Sequence, residues 1–200
     1  MTDMPMMDVA FAITGGPVTR DYAAALHAAL CRALPWLDDE PDAAVHPLRG
    51  VTPVDGRLCV GARSRLVLRV PQPRVEDCIV LAGRWLALDE PLRVGPAQPR
   101  SLLPHRTLYS SLVITGDAAE DRFLAAVTQA VSLWSTACQV IVGRAGTCAV
   151  DMGSLSGFSV MLHGVSPPTS LRAQTEGLGG YRKFGCGVLI PHRSADAVGS

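Results

Sequence analysis

The stretch that decides the fold is Glu176-Gly-Leu-Gly-Gly-Tyr-Arg-Lys-Phe-Gly-Cys-Gly-Val-Leu-Ile-Pro191. Five of its sixteen residues are glycine, and they surround the dibasic pair Arg182-Lys183. Residues 168–176 predict a short helix, because proline stands at the first turn and glycine just past the end. Residues 188–190 predict a buried strand closed by proline. The expected order is therefore helix, glycine-rich loop and strand.

The composition of this loop suggests phosphate binding. Glycine permits positive φ and a close backbone approach, and consecutive free N–H groups attract anions. A Walker loop is excluded, because Lys183 is followed by Phe184 rather than Ser or Thr. A dinucleotide fingerprint is excluded too, because its third glycine would fall on Arg182 and the helix precedes the loop. A plain glycine-rich turn remains the alternative.

The glycine spacing also carries a resemblance to a known family. Gly177-Leu-Gly179, five further residues and Gly185-Cys-Gly187 resemble the Gly-h-Gly-x5-Gly-h-Gly loop, in which h is apolar. That loop is typical of the CRISPR-associated repeat-processing endoribonucleases, the Cas-six type within the RAMP superfamily. The resemblance implies that the loop binds RNA through residues at seven positions: Gly177, Gly179, Gly180, Arg182, Lys183, Gly185 and Gly187.

Composition indicates a globular protein in a reducing compartment. Of the 200 residues, 48% are hydrophobic and 18% charged, which excludes a disordered chain. Six scattered cysteines without a Cys-x-x-Cys pair predict reduced core thiols in a cytoplasmic protein, with no zinc site and no cofactor. No apolar run reaches membrane-spanning length, so no membrane partner is expected.

The net charge is zero, but its distribution is uneven. Residues 44–115 contain ten arginines against five acidic residues, and 17 of the 18 basic residues in the chain are arginine. Arginine suits bidentate phosphate contacts and base stacking, although a genome biased toward arginine codons would give the same composition. Arg63, Arg65 and Arg69 are expected on the exposed face or edge of a hairpin, where they would contact RNA.

Hydrophobic periodicity predicts two β-α-β-β-α-β units, which is the ferredoxin-like arrangement. The fold class is therefore α+β with tandem ferredoxin-like domains at residues 1–95 and 105–191, a linker near 95–104 and a tail at 192–200. The elements expected in the first unit are a strand at 8–13, a helix at 19–34 capped by Thr19, a hairpin of 56–60 with 64–70, a helix at 71–81, and strands at 85–88 and 92–94.

The second unit is expected to repeat the order. Its predicted elements are a strand at 108–115, a helix at 117–134 with Phe123, Leu124, Val127, Val131 and Trp134 facing inward, strands at 138–142, 148–152 and 157–162, and the helix, loop and strand described above.

The resemblance also implies a metal-independent reaction, in which a 2′-hydroxyl attacks its own 3′-phosphate. The products would be a 2′,3′-cyclic phosphate and a 5′-hydroxyl. A histidine suits the proton transfers at neutral pH, and His46-Pro-Leu-Arg-Gly50 is similar to the histidine-bearing loop of the family. His46 is therefore the expected catalytic histidine, with Tyr22 beside it and Arg49 for phosphate stabilisation; His27 is the alternative histidine.

The function that follows is cleavage of CRISPR repeat RNA near the base of a hairpin, giving mature CRISPR RNA. The expected partners are this RNA, with its hairpin and single-stranded flank, and other subunits of a CRISPR effector complex. One alternative is a non-catalytic subunit of the same superfamily that holds guide RNA. Another is an unrelated ferredoxin-like binding module.

Overall fold

The computed structural model describes residues 4–50, 56–117, 119–134, 137–150 and 153–192. The chain divides into two compact units. The first unit comprises Met1–Ser101, Ala149–Gly153 and Lys183–Gly185, and the second comprises Leu102–Cys148, Ser154–Arg182 and Cys186–Ser200. Each unit contains one antiparallel sheet with helices, so the expected α+β class of tandem ferredoxin-like units is confirmed. Apart from His192, the predicted tail at 192–200 lies outside the described residues.

The first unit has seven elements in chain order: β1 (Met6–Gly15), α1 (Ala23–Ala33), β2 (Ala44–Val45), β3 (Arg65–Pro71), α2 (Val75–Ile79), β4 (Trp85–Leu86) and β5 (Leu92–Ser101). The strand order in its sheet is β2-β3-β1-β5-β4. Short 3₁₀ turns at Pro35–Leu37 and Gln72–Arg74 follow α1 and precede α2. This unit contains all the residues predicted for catalysis.

The two faces of this sheet carry different residues, because side chains alternate along a strand. Val9, Phe11 and Ile13 of β1 are buried in the hydrophobic core together with α1. Asp8, Ala10, Ala12 and Thr14 of β1 lie on the opposite face, which we call the second face of the sheet. β3 pairs with β1 so that Arg69 stands opposite Asp8 and Arg65 opposite Ala12. The second face therefore collects polar residues at both ends of β1.

The helix predicted at 71–81 is α-helical only over Val75–Ile79, and three further features of the first unit differ from the sequence prediction. Helix α1 begins at Ala23 with Tyr22 as its N-cap, so the proposed cap at Thr19 is wrong; the Thr19 amide instead donates to Asp89. Residues 56–60 do not pair with β3 in a hairpin. Leu58 forms an isolated bridge with Val18, and the two-residue β2 takes the place beside β3.

The third difference concerns the predicted linker, because β5 continues through it to Ser101 and pairs with β1. Proline is typical of a strand break, but here β4 pairs only with Leu92 and Arg93 of β5. Beyond that point β5 has an unpaired edge among the described strands, and an edge tolerates proline because no ladder partner needs its missing N–H.

The second unit has six elements: β6 (Thr107–Val113), α3 (Glu120–Ser132), β7 (Gln139–Val150), β8 (Gly153–His163), α4 (Pro167–Glu176) and β9 (Ile190–Pro191). Its strand order is β7-β8-β6-β9. The predicted strands at 138–142 and 148–152 are joined in the single strand β7, although residues 151 and 152 lie outside the described residues. Phe123, Val127 and Val131 are buried as expected, whereas Leu124 is exposed.

Within the described parts of the chain, every helix is too short or too polar to traverse a lipid bilayer.

Candidate active site and nucleic-acid interface

His46 lies in a buried charge cluster on the second face of the first unit's sheet. Its backbone N–H donates to Val67 and continues the β2–β3 pairing, so its side chain points away from the core that receives Val45. His46 Nε2 lies 3.4 Å from Asp8 Oδ1. Arg69 donates to both oxygens of Asp8, at 2.7 and 3.0 Å. The result is a carboxylate held between an imidazole and a guanidinium.

The protonation states in this cluster follow from burial and pairing. Burial raises the pKa of Asp8, but hydrogen bonds from His46 and Arg69 outweigh that effect and hold the pKa well below its usual value. Burial lowers the pKa of His46; the hydrogen bond to Asp8 opposes this change, and the charge of Arg69 adds to it. The cluster at neutral pH is therefore a charged carboxylate beside a neutral imidazole.

Tyr22 and Arg49 lie at the same loop as His46. The Tyr22 hydroxyl accepts a hydrogen bond from the Leu48 amide at 2.7 Å, which ties the N-terminus of α1 to this loop. Arg49 is exposed, and its positive charge helps to lower the pKa of His46. The structure thus brings together the three residues predicted for catalysis, with Tyr22 contacting the loop backbone.

The middle of the glycine-rich loop, Lys183–Gly185, belongs to the same unit and lies close to this loop. A Cβ added to Gly185 would be 3.4 Å from Pro47, the residue after His46. The Phe184 ring is 4.3 Å from the ring of His27, and the Lys183 ammonium donates to the Asp38 carbonyl. The glycine-rich loop therefore approaches both candidate histidines.

His27 belongs to a group of potential metal ligands on α1. Its Nε2 is 3.4 Å from Cys31 Sγ and 3.4 Å from Asp38 Oδ1, and the three ligand atoms lie within 4.8 Å of one another. Imidazole, thiolate and carboxylate are all zinc ligands, so the group could hold a metal ion. Sequence spacing did not indicate it, because the turn Pro35–Leu37 is what returns Asp38 to the helix.

Both ends of the glycine-rich loop lie in the second unit, where backbone hydrogen bonds hold them. The amides of Gly177, Leu178, Gly180, Cys186 and Gly187 each donate to a backbone carbonyl. The expectation of consecutive free N–H groups is therefore wrong at these five positions. Gly177, Gly179, Gly185 and Gly187 have φ between +66° and +87°, so the turn itself requires glycine there.

Comparison with known proteins places the chain in a family. The profile of the family described as Cas6 Crispr matches residues 7–194. The CRISPR-associated endonuclease Cas6 of Myxococcus xanthus (strain DK1622) is 34% identical over 205 aligned positions, covering 98% of this chain and 86% of that protein. The chain belongs to the Cas6 family.

Solved Cas6 structures share the fold at low sequence identity. A CRISPR associated protein Cas6 gives a TM-score of 0.66 at 11% identity, covering 94% of this chain and 100% of the other. The product of a Cas6-related gene from Pyrococcus furiosus gives 0.65 at 11% identity, with 92% and 98% covered. The CRISPR endoribonuclease Cse3, solved with a 19-nucleotide RNA, gives 0.52 at 14% identity, with 93% and 98% covered.

The basic residues predicted to bind RNA in this Cas6 chain have different environments. Arg63 is exposed, and half-buried Arg65 donates to the carbonyls of Ala62 and Ser64. Arg69 is fully buried against Asp8, so its predicted place on an exposed face or edge is wrong. The half-buried pattern of this strand predicts an outward-facing arginine, because the sequence does not reveal its partner Asp8 on β1.

The dibasic pair of the glycine-rich loop also has partners within the protein. Arg182 donates to the Thr175 carbonyl at 2.6 Å, within the second unit, and Lys183 donates to the Asp38 carbonyl, within the first. Both side chains are half-buried. These contacts orient the two cations, and phosphate binding by them stays a prediction.

Two adjacent glycines of the loop provide a matched test of its structural role. A Cβ at Gly179, where φ is +67°, would lie 2.2 Å from the Ile114 carbonyl oxygen, whereas a Cβ at Gly180 would meet open space. Gly179→Val should lower the free energy of unfolding by more than the about 1–3 kcal/mol typical of backbone strain alone. Gly180→Val, the same substitution one residue later, should change the melting temperature much less. Equal melting temperatures for the two variants would contradict this description of the loop.

Proposed function

We propose that this Cas6 protein is a metal-independent endoribonuclease that cuts CRISPR repeat RNA near the base of a hairpin. The observation that carries the proposal is the Asp8–His46 pair beside exposed Arg49, in a chain of the Cas6 family. The 34% identical Myxococcus protein, a CRISPR-associated endonuclease, supports the reaction class. The RNA-bound Cse3 structure is of the same fold and is consistent with an RNA substrate.

In the proposed mechanism His46 is the general base. The Nε2 atom is buried and makes no well-formed hydrogen bond in this structure, but Asp8 Oδ1 is the acceptor nearest to it, at 3.4 Å. We therefore assign the proton of the neutral ring to Nε2, facing the carboxylate. The lone pair is then on Nδ1, which takes the proton from the 2′-hydroxyl as its oxygen attacks the adjacent phosphorus. The bond to the 5′-oxygen breaks and that oxygen takes a proton from solvent water, leaving a 2′,3′-cyclic phosphate and a 5′-hydroxyl. The His46 imidazolium then returns its proton to solvent.

The other two residues predicted for catalysis have separate roles in the proposed mechanism, one in stabilising negative charge on the phosphate and one in positioning the His46 loop. Arg49 is exposed and close enough to influence His46, so its guanidinium can stabilise negative charge on the phosphate. Tyr22 would act as a positioning residue, because its hydroxyl holds the Leu48 amide between the histidine and the arginine. We further propose that Cas6 retains the product RNA within an effector complex.

Cleavage in excess EDTA is the first test of this proposal. Repeat RNA should be cut at an undiminished rate, because proton transfer by His46 and charge stabilisation by Arg49 supply the catalysis. The measurement is a single-turnover time course with and without chelator. If EDTA abolishes cleavage and added zinc restores it, the proposal is contradicted. The reaction would then be placed at the His27, Cys31 and Asp38 group.

The pH dependence of cleavage should reflect the lowered pKa of His46. A general base works in its neutral form, and a lowered pKa keeps histidine neutral below the usual value of about 6.5. The acid limb of the rate profile should therefore fall below pH 6.5. Single-turnover rates between about pH 5 and 8 measure it. An acid limb centred above pH 6.5 would contradict the assignment of the base to this buried imidazole.

His27 is the second candidate for the catalytic histidine. The observation that favours it is the contact between its ring and Phe184 of the glycine-rich loop. If RNA follows that loop, the contact with Phe184 places His27 beside its path, whereas the His46 imidazole is mostly buried. His27→Ala compared with His46→Ala in the same cleavage assay separates the two assignments, because only the variant of the base should lose the reaction.

A further inference from the structure

Trp85 has an unusual environment among the tryptophans of this Cas6 chain. Its surface is 62% exposed, although tryptophan is highly buried on average in folded proteins. Trp36 packs on the hydrophobic core beneath Arg74, and the Trp134 indole N–H donates to Glu176. An exposed indole on a two-residue edge strand serves neither the core nor the sheet pairing.

The sheet register places an arginine beside this indole. Trp85 on β4 is the direct partner of Arg93 on β5, and Arg93 is in turn the direct partner of Thr14 on β1. Direct partners in an antiparallel sheet point to the same face, with Cβ atoms about 4.5–5.5 Å apart. The three residues therefore form one row across three strands, and all three are exposed.

The Arg93 guanidinium is available for a ligand. In the described ranges of the chain, no ion pair or hydrogen bond involves its side chain. Of the two acidic residues just before this strand, Asp89 accepts hydrogen bonds from Arg57 and from the Thr19 amide, and Glu90 is exposed. An aromatic face next to an available arginine is the combination that binds bases and phosphates of single-stranded nucleic acid.

A cavity adjoins this row on the same face of the sheet. It has a volume of about 450 Å³, and its lining includes Thr14, Arg93, Ala12 and Gly95. Trp85 is not part of this lining; the sheet register places it on the other side of Arg93 from Thr14. Ala12 and Gly95 have almost no side chain, so little side-chain volume fills the cavity between Thr14 and Arg93. A cavity of this size is in the usual range for small-molecule groups, about 300–1,000 Å³, and has room for the part of a nucleotide that Arg93 contacts.

We propose that Trp85, Arg93 and Thr14 form a binding site for an unpaired nucleotide of the repeat RNA. The base stacks on the Trp85 indole, and Arg93 contacts the phosphate or the next base. Thr14 is six positions along β1 from Asp8 beside His46, about 20 Å along a strand. The bound nucleotide therefore lies in the single-stranded flank, several nucleotides from the cut. This inference rests on the proposed function, because it takes repeat RNA as the ligand.

The test measures the dissociation constant of labelled repeat RNA in a His46→Ala background, with and without changes at this site. Trp85→Ala should weaken binding about 5- to 150-fold, the range for one base–aromatic stack. Trp85→Phe keeps a ring and should recover most of the affinity. Arg93→Ala should lower the slope of log affinity against log salt by about 0.7. Ile79→Ala removes an exposed apolar side chain of α2 as the matched control and should change nothing.

A scan with abasic nucleotides identifies the stacked base. An RNA that lacks the base at one position of the flank should bind more weakly to the protein with Trp85 intact. The same RNA should lose no affinity for Trp85→Ala, because that variant has already lost the base–indole stack. Suppose that Trp85→Ala and Arg93→Ala bind RNA with unchanged affinity, while the protein with both residues intact still cuts it. That result would overturn this site and leave the proposed function standing. Wild-type protein that neither binds nor cuts repeat RNA would overturn the proposed function itself.

Discussion

His46→Ala should cut repeat RNA about 10²–10⁴-fold more slowly than the wild-type protein, because a positioned general base contributes a factor of that size. RNA affinity should stay within a few-fold, since the imidazole side chain is only 12% exposed and contributes little surface to binding. The measurement pairs a single-turnover rate with a binding isotherm. A melting curve shows whether the variant is folded.

The control for this result is His27→Ala, the other histidine near the glycine-rich loop. It should retain most of the wild-type rate. His46→Gln serves as a second variant that fills the space and offers a hydrogen-bonding group to Asp8 without supplying a base, and it should be as slow as His46→Ala. If both His46 variants cut normally and His27→Ala does not, the catalytic assignment is wrong.

Asp8→Ala should have the largest effect on stability. Arg69 is 0% exposed and donates twice to Asp8, so the substitution removes both carboxylate contacts from a buried guanidinium. Removing one partner of a buried ion pair costs about 3–5 kcal/mol, and the free energy of unfolding at pH 7 should fall by that amount. Denaturant unfolding of the two proteins measures it.

The control for this result is Asp77→Ala, which breaks a pair with Arg74 in which the side chains are 45% and 39% exposed. Its loss should be much smaller, because solvent screens an exposed pair. The pH dependence adds a further check, since the pKa of Asp8 is held well below its usual value in the folded state. Its contribution is complete above the unfolded value of about 3.9 and is lost as the pH falls toward the folded pKa. A difference between wild type and Asp8→Ala that disappears already at pH 6 would contradict the buried pair.

The sequence predicts those parts of the fold that depend on local pattern. Strand β1, helix α3 and helix α4 with its following glycine were all located to within a few residues. The errors arose where distant pairing decides the structure. β5 contains Pro96 and Pro99 and still extends to Ser101, because β1 supplies a partner on one side only. Two predicted strands merged into β7 because β8 offers a long partner.

The site shows the same division between local and distant information. His46, Tyr22 and Arg49 could be selected from the sequence. His46 and Arg49 lie in one short contiguous segment that resembles a family segment, and Tyr22 stands at the start of a helix. Asp8 and its contact with Arg69 could not be selected, because 61 residues separate them and only the β1–β3 register joins them. The same register explains why Arg69 is buried when its alternating pattern suggested an exposed arginine.

The central claim is that the RNA itself supplies the nucleophile for cleavage by this Cas6 protein. The most direct measurement uses a repeat RNA with a single 2′-deoxy nucleotide immediately before the scissile phosphate. We expect the wild-type protein to bind it with unchanged affinity and to leave it uncut at that position, while the all-ribose RNA yields a 2′,3′-cyclic phosphate end. Cleavage of the 2′-deoxy RNA at the normal position and rate would contradict the claim, because the attacking oxygen would then have to come from water.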